Sequence, residues 1–270
     1  MRVHHLNCGT MLGGAVVSHC LLIERDDALV LIDTGYGRAD IAEPDRVLGL
    51  SHRLLRPVLD PAETAYAQIE ALGLEPRDVT DIVLTHLDYD HAGGLADFPW
   101  ARVHVHDREY RAAMHPGRTG RVRYRREQYA HGPNWQLSQA GHGGDRWFGF
   151  AGVHELAGLP GLAMVPLYGH TTGHVGIAVN VDGGWLLHAG DAYVSALQLN
   201  RYLPGLLLGG AAFGDPDPLL AARRVRTAAR LAALVQQHGD EVTVFCAHDA
   251  HAYGELARHN PTPSPESKEA

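Results

Sequence analysis

A short run of residues near position 86 combines imidazole and carboxylate side chains. The sequence DIVLTHLDYDHAGG places His86, Asp88, Asp90 and His91 within six positions. They follow an apolar stretch that predicts a buried strand leading into a loop. Imidazole and carboxylate groups bind Zn²⁺, Fe and Mn. A solvated acidic loop is the alternative for this run alone, and the metal-site interpretation is favoured.

Three more residues of metal-ligand type follow apolar segments that predict strands. They are His170, Asp191 and His248. In layered α/β folds, residues that bind or react gather where strands end. A ligand type at each of four strand ends favours a shared metal site over a chance distribution.

The order of these residues resembles the metallo-β-lactamase superfamily, whose HxHxDH motif is followed by a distant His, a distant Asp and a final His. The resemblance covers nearly the whole chain. Asp33-Thr34-Gly35 is similar to the loop that supports the metals in that family. The segments HAGG after Asp90 and GHTTGH around His170 look closest to the N-acyl-homoserine-lactonase and glyoxalase-II-like branches. The implied fold is α/β, a four-layer αββα metallo-β-lactamase sandwich with the metals at one edge.

The resemblance also implies two divalent metal ions, with zinc preferred. The implied ligands of the first metal are His86, Asp88 and His170, and those of the second metal are Asp90, His91 and His248. The implied bridging ligand is Asp191.

One position departs from the family pattern, because Asp88 stands where the family has its second histidine. A carboxylate is a harder ligand than imidazole and favours Fe or Mn more than a histidine does. The substitution leaves the occupancy of the first metal site open. It also leaves two alternative functions open: a non-hydrolytic metal-binding or sensor protein on the same scaffold, and a di-iron oxygen or redox enzyme.

The expected chemistry is hydrolysis by a metal-activated hydroxide, since bound metals lower the pKa of water toward neutrality. The expected substrate is a small ester-like bond, a lactone or thioester, which makes the protein a metallo-hydrolase of class EC 3.1. Asp90 is expected to relay a proton to the leaving group. Tyr193 is expected to polarise the substrate carbonyl, with packing in the core as the alternative role.

The chain has 270 residues, and its predicted strands and helices alternate in both halves, which indicates a layered α/β protein. We predict a single domain over residues 1–260 and a disordered tail over 261–270. Residues 115–150 have weak periodicity and are predicted to form a lid insertion. The arginine-rich run 118–126 within it is either a solvated face or a binding site for an anionic substrate.

The net charge of −8 argues against nucleic acid as a partner. The sequence has no apolar stretch long enough to predict a membrane span. Its start does not resemble a secretory signal, and its three cysteines form no CxxC pair, so a cytoplasmic location is expected. The expected partner is a small molecule, anionic or bearing an acyl chain. The apolar segment 203–213 is expected to line a substrate pocket or a homodimer contact.

Local patterns predict the elements that position these residues. Strands are expected at Val16–Glu24 and Ala28–Asp33, on either side of a turn. A helix is expected over Pro61–Leu72, and another over Asp107–Met114 with Asp107 as its N-cap. A long amphipathic helix is expected from Pro216 to His238.

Overall fold

The structure is a computed structural model that describes residues 1–26, 28–50, 52–117, 120–141, 143–199 and 217–262. The chain divides into two compact units. The first unit comprises Met1–His104, Arg121–Gln136 and the C-terminal residues from Ala250 onward. The second unit comprises Val105–Gly120 and Leu137–Asp249.

One mixed sheet has the strand order β1-β2-β3-β4-β5-β6. Its strands are β1 (Arg2–Met11), β2 (Val16–Arg25), β3 (Ala28–Ile32), β4 (Val79–Val83), β5 (Arg102–His106) and β6 (Asn134–Ser138). Strands β1 to β3 pair antiparallel, whereas β3, β4 and β5 pair parallel. Because Ile32 and Val83 are in register, the segments that follow β3 and β4 leave the sheet at the same edge.

A second mixed sheet has the order β12-β11-β10-β9-β8-β7. Its strands are β7 (Asp145–Trp147), β8 (Phe150–Leu156), β9 (Leu159–Pro166), β10 (Val175–Val181), β11 (Gly184–His188) and β12 (Val242–Phe245). Strand β12 pairs parallel with β11, so both strands end at the same edge. An apolar cluster that includes Phe150, Val165 and Leu231 forms the core of this unit.

Helices connect and cover the strands, and most of them are short. They are α1 (Arg38–Ala42), α2 (Pro44–Val47), α3 (His52–Leu55), α4 (Ala65–Ala71), α5 (Tyr89–Ala92), α6 (Asp107–Met114), α7 (Gly120–Arg123), α8 (Pro218–His238) and α9 (Ala250–Ala257). The long helix α8 begins at Pro218 rather than at the predicted Pro216. Asp217 is its N-cap, because the Asp217 carboxylate accepts the N–H of Leu219 at 2.8 Å. Its buried positions recur every three or four residues, as expected for a helix with one face on a core.

One predicted helix start and one predicted N-cap are wrong, and side-chain hydrogen bonds explain both. The predicted helix over Pro61–Leu72 is interrupted, because residues Pro61–Glu63 form a 3₁₀ turn and α4 starts afresh after Thr64. The Thr64 hydroxyl accepts the N–H of Ala67 at 3.2 Å, so it acts as the N-cap. Helix α6 has the predicted bounds, but His106 rather than Asp107 caps it by accepting the N–H of Arg108.

The sequence patterns did not predict β1 or the strands within residues 115–150. Strand β1 buries His4 and His5, which hide its apolar pattern. Each of these histidines has a polar partner: His4 contacts Glu24 at 2.5 Å and His5 contacts His19 at 2.8 Å. Segment 115–150 contains α7, β6 and β7 and the start of β8, so part of it belongs to the two sheets.

The single domain over 1–260 and the lid role of 115–150 stay predictions. The apolar segment 203–213, Arg118 and most of the predicted tail lie outside the described residues. Within the part of the chain that the structure describes, no helix is both long and apolar enough to cross a membrane.

A close backbone contact in the first unit makes Gly37 sensitive to substitution. A Cβ atom at this position would lie 2.2 Å from the carbonyl oxygen of Gly93. We expect Gly37→Ala to lower the free energy of unfolding by roughly 1–3 kcal/mol, since backbone must move to admit the methyl group. Gly117→Ala is the matched control, because nothing lies within 4 Å of its Cβ position. Equal urea midpoints for the two variants would contradict this prediction.

Candidate metal centre

Four of the predicted ligands form the first ligand set, defined as His86, Asp88, Asp90 and His91 of the first unit. All four side chains are buried. After β4, the chain passes through His86 to Asp88, whose extended backbone precedes α5. The Asp88 carbonyl accepts the N–H groups of His91 and Ala92 at 3.0 Å. This helical turn brings Asp90 and His91 back toward the end of β4.

Asp33 is the support of the first ligand set. One of its carboxylate oxygens accepts the Thr85 N–H, and the other accepts the Thr85 hydroxyl, both at 2.8 Å. The second oxygen also lies 2.8 Å from Nδ1 of His91. With Nδ1 engaged by Asp33, Nε2 is the ring nitrogen of His91 that would coordinate a metal. The loop role of Asp33 that the resemblance implied therefore has a physical basis.

The backbone around Asp33 and α5 is tied together by Thr34. Its N–H and its hydroxyl both donate to the carbonyl of His91, at 2.8 and 2.9 Å. The same hydroxyl accepts the N–H of Gly94 at 3.0 Å. Asp33 itself has a φ of 54°, a left-handed conformation that costs energy for a residue with a side chain. These bonds hold the conformation that aims its carboxylate at Thr85 and His91.

Asp88 has a basic partner that the sequence analysis did not anticipate. Its Oδ2 accepts a hydrogen bond from Nη1 of Arg123, the last residue of α7. The same oxygen lies 3.3 Å from Nε2 of His86. A carboxylate that replaces the family's histidine is thus accompanied by a guanidinium group from the arginine-rich run.

A second buried carboxyl, that of Asp40, lies behind α5. It accepts the N–H of Gly37 at 2.9 Å and the side-chain amide of Gln128 at 3.0 and 3.1 Å. The Gln128 amide also donates to the carbonyl of Tyr89 at 2.8 Å. Burial raises the pKa of Asp40 to about 7, although these hydrogen bonds lower it.

The remaining predicted ligands form the second ligand set, defined as His170, Asp191 and His248 of the second unit. All three are buried. Asp191 follows β11 and His248 follows β12, the two parallel strands that end at one edge. Oδ2 of Asp191 lies 3.1 Å from Nε2 of His248 and 3.3 Å from Nε2 of His170. The structure therefore gathers these residues, which are far apart in sequence, around one carboxylate.

His174 supports the second ligand set through two contacts with the backbone. Its Nδ1 lies 3.0 Å from the carbonyl of Leu167, to which it would donate. Its Nε2 accepts the backbone N–H of Asp191 at 2.9 Å. Both ring nitrogens hold backbone groups, so His174 fixes where the Asp191 loop lies.

The loop that carries His170 is held from two sides by helices of the second unit. Glu109 of α6 is fully buried and accepts the Thr171 hydroxyl at 2.5 Å and the Gly173 N–H at 3.2 Å. From α8, the Thr227 hydroxyl donates to the carbonyl of Tyr168 at 2.8 Å. No sequence motif marked Glu109, because its partners Thr171 and Gly173 lie 62 and 64 positions later in the chain.

Tyr193 lies in the hydrophobic core of the second unit and is only 2% exposed. Burial raises the pKa of its hydroxyl well above the usual value. This position agrees with core packing, the alternative role that the sequence left open. Its catalytic role stays a prediction.

The comparison with known families gives one clear match. Residues 13–238 match the model of the metallo-β-lactamase superfamily. The chain belongs to this superfamily. The predicted α/β metallo-β-lactamase fold is therefore confirmed, with its two mixed sheets and accompanying helices.

Similar proteins include curated relatives and solved structures. A probable metallo-hydrolase of Mycobacterium tuberculosis is 44% identical over 266 residues, which cover 96% of this chain and 83% of the relative. An N-acyl homoserine lactonase of Azorhizobium caulinodans is 29% identical over 235 residues, covering 86% and 81% of the two chains. An N-acyl homoserine lactone hydrolase solved with N-hexanoyl-L-homoserine has a TM-score of 0.69 at 21% identity, covering 94% of this chain and 95% of that one.

The donor chemistry of both sets fits divalent metal ions. Asp88, Asp90 and Asp191 are carboxylates buried beside imidazoles. Burying carboxylates costs several kcal/mol each unless a cation compensates their charge. Imidazole nitrogens and carboxylate oxygens are ligands that Zn²⁺, Fe and Mn accept. The combination of these donor groups, and not any single residue, indicates that the chain binds metal.

The raised pKa of Asp40 predicts a pH-dependent stability. Since the folded form holds this proton more tightly than the unfolded chain, the stabilisation is complete below about pH 4 and is lost as the pH rises through about 7. The slope contributed by one such proton is about 1.4 kcal/mol per pH unit. Asp40→Asn should flatten the fall in the free energy of unfolding between pH 5 and 8, measured by urea denaturation of the metal-free chain. Parallel pH curves for the parent and the variant would refute this assignment.

Proposed function

We propose that this protein is a metal-dependent hydrolase of a small ester-like bond, with a lactone preferred over a thioester. The observation that carries the proposal is the pair of buried ligand sets, seven His and Asp side chains in a metallo-β-lactamase fold. Asp33 supports the interpretation, because a carboxylate that orients a histidine through Nδ1 is the usual second layer of a metal site.

We further propose that the protein binds two divalent ions, zinc ahead of iron or manganese. The proposed ligands of the first ion are His86, Asp88 and His170, those of the second are Asp90, His91 and His248, and the proposed bridge is Asp191. Zinc is preferred because one structure of the same fold, 18% identical with a TM-score of 0.50, is that of a dizinc quorum-quenching lactonase.

In the proposed reaction, bound metals would polarise the substrate carbonyl and activate water at neutral pH. The residues of the chain would transfer the proton and position the ligands. Asp90 would take the proton from the attacking water and pass it to the leaving oxygen. Asp33 would keep His91 in one tautomer and orientation, and His174 would hold the Asp191 backbone in place. Because these groups are already in place, less free energy is needed to reorganise the site during the reaction.

A lactone is the preferred substrate because several relatives are named N-acyl homoserine lactonases. Their identity to this chain is 24–29%, so the acyl group and the ring remain open to test. We therefore propose a small neutral or anionic acyl substrate as the partner. A reducing cytoplasm is the proposed compartment, since Cys8, Cys20 and Cys246 are buried free thiols.

Elemental analysis combined with a substrate panel tests the proposal. The purified protein should hold two metal ions per chain and hydrolyse lactones faster than thioesters or phosphodiesters. Removing the metals with a chelator should abolish turnover, and adding zinc should restore it. A yellow or brown iron protein without hydrolase activity would favour the di-iron alternative, whereas a metal-loaded chain inactive on the whole panel would favour the sensor alternative.

Asp90→Asn isolates the proposed proton relay. We expect kcat to fall by about 10²–10⁴, because the amide cannot accept and return a proton. The fold should survive, as judged by the thermal unfolding midpoint. Asp45→Asn is the control, since this exposed carboxylate lies outside both ligand sets. Near-normal turnover in Asp90→Asn would exclude the relay role.

A further inference from the structure

Arg123 is one of the partly buried members of the arginine-rich run and contacts a candidate ligand. Its side chain is only 15% exposed and donates to the Asp88 carboxylate, which is 11% exposed. By contrast, Arg121 and Arg126 are exposed. The solvated-face interpretation therefore fits Arg121 and Arg126, whereas Arg123 is turned toward the first ligand set.

The segment after α7 is attached to the first ligand set at a second point. The Gln128 amide donates to the carbonyl of Tyr89, the residue between Asp88 and Asp90. Tyr124 and Tyr129 are both buried, so the segment packs on both sides of Gln128. Arg123 is thus part of a segment that packs against α5, and its side chain does not simply lie on the surface.

The charges of Asp88 and Arg123 offset each other. A histidine ligand is neutral, so Asp88 adds one negative charge to the position that the family gives to histidine. The guanidinium adds one positive charge that does not titrate in the physiological range. The pair therefore has the net charge of the neutral ligand it replaces.

We propose that Arg123 is the countercharge of Asp88 and sets the metal affinity of the first metal position. This inference rests on the metal centre proposed above. A neighbouring arginine lowers the proton affinity of a carboxylate by about ten- to a thousandfold. A metal cation meets the same repulsion, so Arg123 weakens metal binding at Asp88 and keeps it close to that of a histidine ligand.

The experiment is a zinc titration of the metal-free chain against a chromophoric chelator, which reads affinity without any turnover. Asp88→Ala assigns the binding step of the first metal, since that step should disappear. Arg123→Met should tighten this step by at least about tenfold, because the carboxylate loses its countercharge. Arg121→Met removes the same charge from the same helix and should leave the affinity within about threefold.

Two further variants separate charge from shape. Arg123→Lys keeps the charge and should bind zinc within about threefold of the parent chain. In an Asp88→His background, Arg123→Met should no longer tighten binding by tenfold, since the histidine needs no countercharge. Thermal unfolding midpoints measured for each variant identify any loss of fold.

The outcomes distinguish this inference from the proposed function. Unchanged or weaker zinc binding in folded Arg123→Met, with two ions bound by the parent chain, overturns the countercharge and leaves the hydrolase proposal standing. If Arg123→Met does not fold, a zinc affinity of Arg123→Lys that is tenfold or more above or below that of the parent chain overturns the countercharge on its own. Failure of the parent chain to bind any zinc overturns both proposals.

Discussion

The position of the first ligand set depends on the hydrogen bonds of the Asp33 carboxylate. This carboxylate stands at the end of β3 and reaches across the parallel pair to Thr85, which follows β4, and to His91, which lies in α5. Three bonds from one carboxylate fix the exit of one strand, the turn of a short helix and the tautomer of a ligand. A four-residue helix such as α5 has little stability of its own, so these external bonds determine its position.

In the second unit, buried polar side chains also hold the loops that carry the candidate ligands. Glu109 and Thr227 hold the loop of His170, and His174 holds the backbone of Asp191. In both units, buried polar groups bond to backbone atoms of the ligand loops rather than to the ligands alone. Buried hydrogen bonds of this kind are costly to break, which makes the loops rigid.

The sequence predicted those elements that are determined by residues close to one another in the chain. Helix α6 has the predicted bounds, because its pattern and flanking residues are clear. The ligand residues were found because strand ends carry them in a recognisable order. Strand β1 was missed because it buries histidines, and Arg123 was missed because its partner lies 35 positions earlier in the chain. No local pattern encodes a pairing over that distance.

The loop between β9 and β10 shows how packing limits what evolution can vary in this chain. A Cβ atom at Gly169 would lie 2.3 Å from the backbone nitrogen of Arg224, and one at Gly173 would lie 2.2 Å from that of Glu109. Neither glycine can therefore take a side chain unless the backbone moves. An engineer who wishes to reshape the surroundings of His170 should therefore leave these two glycines in place and introduce new side chains at other positions.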